Sequence, residues 1–169
     1  MNAVKTFFIA DTHFGDERIM KYENRPFLSP QEMNSTIIGN WNSTVGENDA
    51  VFVLGDFGAD DNEKEIIERL NGRIFLVKGN HDVKSNSYYR SCGMCEVYDC
   101  PIIIEGFWIL SHEPVYVNTN MPYANLFGHV HANPIYADFS EQHFCVSAER
   151  IEYTPIEFEK IKQAIKSRK

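Results

Sequence analysis

Five short segments of this chain deliver side chains that bind metals. Thr6-Phe7-Phe8-Ile9-Ala10 runs into Asp11-Thr12-His13, Ala50-Val51-Phe52-Val53-Leu54 into Gly55-Asp56, and Arg73-Ile74-Phe75-Leu76-Val77-Lys78 into Gly79-Asn80-His81-Asp82. Ser111-His112 and Gly128-His129-Val130-His131 follow downstream. Taken singly, Asp-x-His or Gly-Asp after an apolar run is an ordinary polar loop. Turn propensity also explains Gly79 and Asn80, but it does not explain His81-Asp82. Joint occurrence decides the matter, because five of the six histidines fall within these segments. Gly79, lacking a Cβ, is expected to let the backbone turn tightly. The residues after it then sit at a strand's carboxyl end, where open α/β sheets carry their chemistry.

Asp11, His13, Asp56, Asn80, His112, His129 and His131 together offer four imidazoles, two carboxylates and an amide oxygen. That is too many ligands for one ion and about right for two. Two ions about 3.5–4 Å apart need a bridging carboxylate and can hold a bridging hydroxide. Mixed nitrogen and oxygen donors suit Mn, Fe, Zn or Ni better than Mg or Ca. His81 is more useful uncoordinated, where it can protonate or stabilise an oxygen leaving phosphorus while Asp82 fixes its tautomer. Arg25 is a candidate bidentate clamp for a substrate phosphate, with Asn24 beside it; a surface arginine packed beside Pro26 is the competing reading. His143 lies in an apolar strand and reads as structural. Tyr88, Tyr89, Tyr116 and Tyr123 read as packing residues rather than base-stacking platforms.

Positioning such a set requires several strands that end on one side of the molecule. Residues 5–10, 50–54 and 73–78 read as buried strands. The segment 14–28 is polar, broken by Pro26, with one helical turn around Glu17–Tyr22. Ser29-Pro30-Gln31-Glu32 forms a capping box with proline at the first helical position. Met33, Ile37, Ile38 and Trp41 then share one helical face, and the helix ends near Ser43. Asp60-Asp61-Asn62 is expected to cap a second helix with Ile66, Ile67 and Leu70 inward, closed by Asn71-Gly72. A short helix follows His81 up to Ser91. This β-α-β-α-β order favours a parallel sheet with helices packed on it. Pro101–Ile104 and Phe107–Leu110 read as a hairpin around Glu105-Gly106. Residues 125–127 and 143–147 are further strands. Thr154-Pro155-x-Glu157 is expected to cap a last amphipathic helix bearing Phe158, Ile161 and Ile165 inward and a basic end, Lys166 to Lys169. No linker, repeat or low-complexity tract divides residues 1–169, which read as one domain.

The formal net charge is −8, which argues against long nucleic acid as a partner, since that binding needs Lys and Arg to displace counterions. A small or local nucleotide substrate stays compatible. No run approaches the roughly 18 apolar residues of a membrane span, and the apolar run before Asp11 is too short for a signal peptide. The expectation is a cytoplasmic protein whose Cys92, Cys95, Cys100 and Cys145 are reduced thiols. Cys92-x-x-Cys95 lacks the second pair that a structural zinc site usually needs.

In this order, Asp11-x-His13, Gly55-Asp56, Gly79-Asn80-His81-Asp82, Ser111-His112 and Gly128-His129-x-His131 resemble the calcineurin-like metallophosphoesterase superfamily, over most of the chain. Asp11-Thr12-His13-Phe14-Gly15, Asn24-Arg25-Pro26-Phe27 and Phe107 through Pro114 are similar to its small single-domain bacterial and phage members; Asp16 stands where such members often carry His. The resemblance implies an α/β fold, an αββα sandwich of two mixed sheets flanked by helices. It implies a first ion on Asp11, His13, Asp56 and His131 and a second on Asp56, Asn80, His112 and His129, with Asp56 bridging and Mn the foremost metal. It implies hydrolysis of a phosphate monoester or diester by a bridging hydroxide, with His81 beside the phosphorus. A metal-dependent nuclease is the alternative within enzymes. A non-catalytic protein-binding scaffold is the alternative outside them, disfavoured because all seven ligands and His81 are present.

Overall fold

A computed structural model describes residues 3–58, 62–136 and 140–168. In chain order the elements are β1 (Thr6–Ile9), α1 (Glu17–Tyr22), α2 (Pro30–Thr44), β2 (Ala50–Val53), α3 (Glu63–Ile67), β3 (Arg73–Val77), α4 (Asn86–Ser91), β4 (Glu96–Tyr98), β5 (Ile102–Ile104), β6 (Trp108–Leu110), β7 (Ala124–Phe127), β8 (His143–Cys145), β9 (Ile156–Glu157) and α5 (Phe158–Lys166). They build a five-stranded sheet in the order β4-β3-β2-β1-β9 and a four-stranded sheet in the order β5-β6-β7-β8. Both sheets are mixed: β9 runs antiparallel to β1, and β5 antiparallel to β6.

The apolar runs are continuous because both faces of the first sheet are covered. Phe7 and Ile9 of β1 join Met33, Ile37, Ile38 and Trp41 of α2 in one core, together with residues of α3 and α4. Phe8 and Ala10 face the other way, into a second core with Leu54, Val77, Trp108, Leu110 and Leu126 between the sheets and Phe158, Ile161 and Ile165 of α5. Each large side chain so buried contributes about 2 kcal/mol of apolar transfer. The α/β arrangement of two mixed sheets flanked by helices is the one the resemblance implies.

Helix α2 starts as its sequence dictates. Ser29 Oγ accepts from the Glu32 N–H at 3.2 Å, and the Glu32 carboxylate accepts from the Leu28 N–H at 2.6 Å. The hairpin turn also forms, with Glu105 and Gly106 both at positive φ (51° and 65°), the geometry that matches strand twist. The last helix differs from expectation. Thr154-Pro155 does not cap it; Ile156 and Glu157 instead pair with Phe8 and Phe7 as the sheet's edge strand, and α5 starts at Phe158 with no side-chain cap. Pairing with β1 satisfies backbone groups that a cap would otherwise have served. The short strand β4 was not expected. Asp60, Asp61 and Lys169 lie outside the described residues, and Asn62 makes no side-chain capping bond to α3.

The registers bring the ligands together. Ile9 is level with Val53, and Val53 with Leu76, so three parallel strands stop side by side just before Asp11, Asp56 and Asn80. In the second sheet Leu110 is level with Leu126, so Ser111-His112 and Gly128-His129 leave together. A lone parallel bridge between Ala10 and Ser147 joins the sheets at this end, with Ala10 N–H to Val146 O and Ala148 N–H to Ala10 O both at 2.9 Å. No helix among the described residues is long and apolar enough to cross a membrane. All four cysteines are free, and among the described residues none belongs to a converging ligand group.

Candidate metal centre

The strand ends do not simply stop at the ligands. Asp11, His13, Asp56, His129 and His131 all lie in the left-handed region, with φ of 57°, 47°, 55°, 68° and 46°. Such backbone is uncommon for residues other than glycine and persists where surrounding structure over-determines it. Here the loops hold one another. Asp11 N–H donates to Gly55 O (3.0 Å), His13 N–H to Asp56 O (2.9 Å) and Thr12 Oγ1 to Phe57 O (2.6 Å). A turn does close on Gly79, with the Asp82 N–H donating to Gly79 O at 3.2 Å, but Gly79 has no positive φ, so the turn does not call for glycine. Gly79 permits close approach instead: a Cβ there would lie 2.3 Å from Asp56 Oδ1 and 2.8 Å from His112 Cε1.

Among the described residues three groups converge; one, Glu23, His131 and Glu149, lies beside the site, and the other two form at the strand ends. In the first of these two, Asp11, His13 and His131 converge; in the second, Asp56, His112 and His129. Asn80 joins the second group, its Oδ1 lying 3.0 Å from His112 Nε2 and 3.1 Å from His129 Nδ1. Asp56 stands between the groups, its Oδ2 lying 3.5 Å from His13 Nε2 and 3.4 Å from His112 Nε2. Its Oδ1 is held by the His81 N–H at 2.9 Å. Asp11, His13, Asp56 and His112 are buried, while Asn80, His81 and His129 form the exposed mouth.

The donor set fits divalent cations on three observations. His13 Nε2 is buried without a hydrogen-bond partner, a costly condition unless something else meets it. His112 donates from Nδ1 to Leu54 O at 2.9 Å, which leaves Nε2 to face the site, the arrangement that orients a metal-binding imidazole. Finally, the ring nitrogens His112 Nε2 and His129 Nδ1 face each other at 3.1 Å, a contact that needs a shared proton or a cation between them. The electrostatics agree. Burial pushes Asp11 up to about 6 and His13 down to about 3. Burial also opposes charge on Asp56, yet His112 and His13 draw its pKa down to about 2. Burial likewise opposes charge on His112, yet Asp56 and Asp11 raise it to about 9. The imidazolium stands in for positive charge that the carboxylates require.

The remaining predicted residues fall differently. The His81 ring lies at the mouth, 5.2 Å from the His13 ring in edge-on contact. Asp82 does not orient it. The Asp82 carboxylate is buried and accepts three main-chain N–H groups, from Asp56 (2.7 Å), Gly79 (2.8 Å) and Phe57 (3.1 Å), so it ties two ligand loops together. Burial and the nearby Asp56 charge hold its pKa up at about 6 against those donors. Arg25 is buried as well and does not present a phosphate clamp. Its guanidinium bonds to Glu149, to Thr12 O (2.9 Å) and to Asp11 O (2.6 Å). Asn24 is exposed at φ 48°. Asp16 is buried and caps α1 through the Arg18 N–H at 2.8 Å. His143 is structural, bonded to Ser140 Oγ and to Val115 O.

Glu149 escaped the sequence reading. Its Oε1 lies 3.1 Å from His131 Nδ1. The signal was present, since Ser147-Ala148-Glu149 also follows a strand end, that of β8.

Comparison with known proteins agrees with this geometry. Residues 4–165 match the model of the family described as calcineurin-like phosphoesterase. The chain is 35% identical to the uncharacterized protein MJ1445 of Methanocaldococcus jannaschii, across all of this chain and 96% of that protein. It is 34% identical to the gene 66 protein of Mycobacterium phage L5 over 46% of this chain and 39% of that protein. Among solved structures it resembles the protein of unknown function AQ665 from Aquifex aeolicus, with a TM-score of 0.79, 25% identity and coverage of 95% and 99%. It shares its fold with the Pseudomonas putida nuclease MPE, with a TM-score of 0.53, 24% identity and coverage of 75% and 61%. The match over nearly the whole length, on a chain whose strand ends converge in two ligand groups, means that this protein belongs to the calcineurin-like phosphoesterase family.

Proposed function

We propose that the protein hydrolyses a phosphate monoester or diester with two divalent ions, Mn foremost and Fe, Zn or Ni next. Asp11, His13, Asp56 and His131 would hold one ion, and Asp56, Asn80, His112 and His129 the other. The observation that carries this reading is the place of Asp56 Oδ2, within 3.5 Å of the facing imidazole nitrogen of each group. Bound ions of this kind supply Lewis-acid charge and a nucleophile at neutral pH.

The chain's own part is orientation and proton handling. The His81 N–H fixes Asp56 Oδ1 and so leaves Oδ2 to both groups. Asp82 locks the main chain of Asp56, Phe57 and Gly79 against drift. His81 itself is exposed at the mouth and carries no ligand duty, which leaves its ring to give a proton to an oxygen departing from phosphorus. The net charge of −8 favours a small ester, including a nucleotide, over long nucleic acid.

The test uses metal-stripped protein with Mn, Ni, Zn, Fe or Mg restored singly, assayed on p-nitrophenyl phosphate and bis-p-nitrophenyl phosphate. Metal-dependent turnover is expected. Preference for the diester directs the search to cyclic nucleotides and short oligonucleotides, and preference for the monoester makes the enzyme a phosphatase. The variant Asp56→Asn should lose both ions; two retained equivalents, or no turnover with any metal, would count against the reading.

A further inference from the structure

One buried ionic unit touches the first ligand group and leaves the second alone. Glu149 lies in the short 3-10 helix Ala148–Ile151, which the Ala10–Ser147 bridge brings beside Asp11. Its Oε1 accepts from Arg25 Nε at 2.8 Å and from His131 Nδ1 at 3.1 Å, and it lies 2.6 Å from Arg25 Nη2 in the ion pair. The Arg25 and Glu149 side chains are 0% and 6% exposed. Through Nη1 and Nη2, Arg25 also grips the carbonyls of Thr12 and Asp11. Arg25 and Glu149 thus reach Asp11, the peptide leading to His13, and the His131 ring. These are the three members of one ligand group. Asn80, His112 and His129 have no bond to either residue among the described residues.

The arrangement is chemically directional. A carboxylate only accepts, so His131 presents Nδ1–H to Glu149, which in the neutral ring leaves the lone pair on Nε2 for the group that His131 forms with Asp11 and His13. A carboxylate behind an imidazole fixes its ring and raises its basicity as a ligand. The other oxygen, Glu149 Oε2, is buried and unbonded, so the carboxylate is spent on Arg25 and His131 and not on general packing.

We infer that Glu149, held by Arg25, is a positioning residue that sets the affinity of one of the two ions only, the one on Asp11, His13 and His131. The inference rests on the two-ion reading above.

Mn²⁺ titration of metal-stripped protein by calorimetry tests it. The wild type should bind two equivalents. Glu149→Gln should weaken one of them by about 10- to 100-fold, the range for loss of a ligand's hydrogen-bonding partner, and leave the other unchanged. Introduced into His131→Ala, Glu149→Gln should leave the remaining ion unaffected; introduced into His129→Ala, it should weaken the remaining ion. A merely structural role would weaken both ions alike, and that result, or no change in either, overturns the inference. A wild type that binds fewer than two equivalents would instead strike the two-ion reading itself. Should the variant fail to fold, long-range ¹H–¹⁵N spectra of the Zn-loaded wild type decide. His131 protonated on Nδ1 with Nε2 metal-bound is expected, and the reverse assignment overturns the inference.

Discussion

Replacing Gly79 by alanine separates two explanations of that glycine. A turn glycine is needed for its conformation, whereas a contact glycine is needed for its lack of a side chain. The backbone at Gly79 is not left-handed, so alanine is conformationally acceptable there and would by itself stabilise by about 0.4–1 kcal/mol through the unfolded chain. Space decides otherwise. The added Cβ would sit 2.3 Å from Asp56 Oδ1, 2.8 Å from Asp56 N and 2.8 Å from His112 Cε1, up to about 1 Å or more inside normal contact. None of these atoms is free to retreat. Asp56 Oδ1 holds the His81 N–H at 2.9 Å, Asp56 N–H is bound to Asp82 at 2.7 Å, and His112 is anchored on Leu54 O at 2.9 Å. Overpacking of this kind costs about 1–3 kcal/mol, and a shift of about 1 Å in a catalytic group costs about 10²-fold in rate. The expected result is a folded Gly79→Ala protein, 1–3 kcal/mol less stable by this order-of-magnitude reasoning, with weakened metal binding and turnover down about a hundredfold. Urea unfolding followed through the buried Trp41 and Trp108, metal titration and ester hydrolysis would measure it. Gly39→Ala serves as the control: it lies within α2 with nothing inside 4 Å of the added carbon, and should stabilise by about 1 kcal/mol. A Gly79→Ala enzyme with wild-type stability, metal content and rate would refute the contact argument.

Other expectations follow from the same geometry. His81→Ala should keep its metal but lose about 10²- to 10⁴-fold in turnover, measured with saturating Mn; normal hydrolysis, or loss of metal, would remove His81 from the proton-handling role. His112 is raised from its ordinary value to about 9 in the metal-free fold. A group whose folded pKa is raised contributes stability that is fully present below about 6.5 and lost as pH climbs through about 9. Urea midpoints of metal-stripped protein should therefore fall across that window, and the fall should shrink in His112→Gln. An equal slope in both proteins would show that other groups carry it.

Residue type and strand-end position made the two converging strand-end groups readable. Hydrophobic runs locate strands, and His-Asp after Gly-Asn has no turn explanation. Roles that depend on where a polar atom points were not readable. Asp82 follows His81 directly, and adjacency suggested a dyad, yet three main-chain donors from other loops claim its carboxylate. Arg25 beside Pro26 looked available, but the chain folds it under the Asp11–His13 turn. Glu149 lies far from its partners in sequence, and only the Ala10–Ser147 bridge makes them neighbours. Thr154-Pro155 carried a capping pattern, but a free strand edge nearby took the following residues first. Local chemistry proposes the partners, and long-range pairing decides among them.

The left-handed backbone at Asp11, His13, Asp56, His129 and His131 sets function against folding. Each such residue costs about 1–2 kcal/mol relative to ordinary backbone, so five come to about 5–10 kcal/mol, comparable to a whole domain's stability of about 5–15 kcal/mol. Glycine at any of the five would discard a proposed ligand and relieve strain at once, while alanine would discard that side chain and keep the strain. Alanine and glycine scans of these positions should therefore disagree about stability while agreeing about activity. A selection for thermal tolerance carried out on metal-free protein would enrich for molecules that have dismantled their own centre.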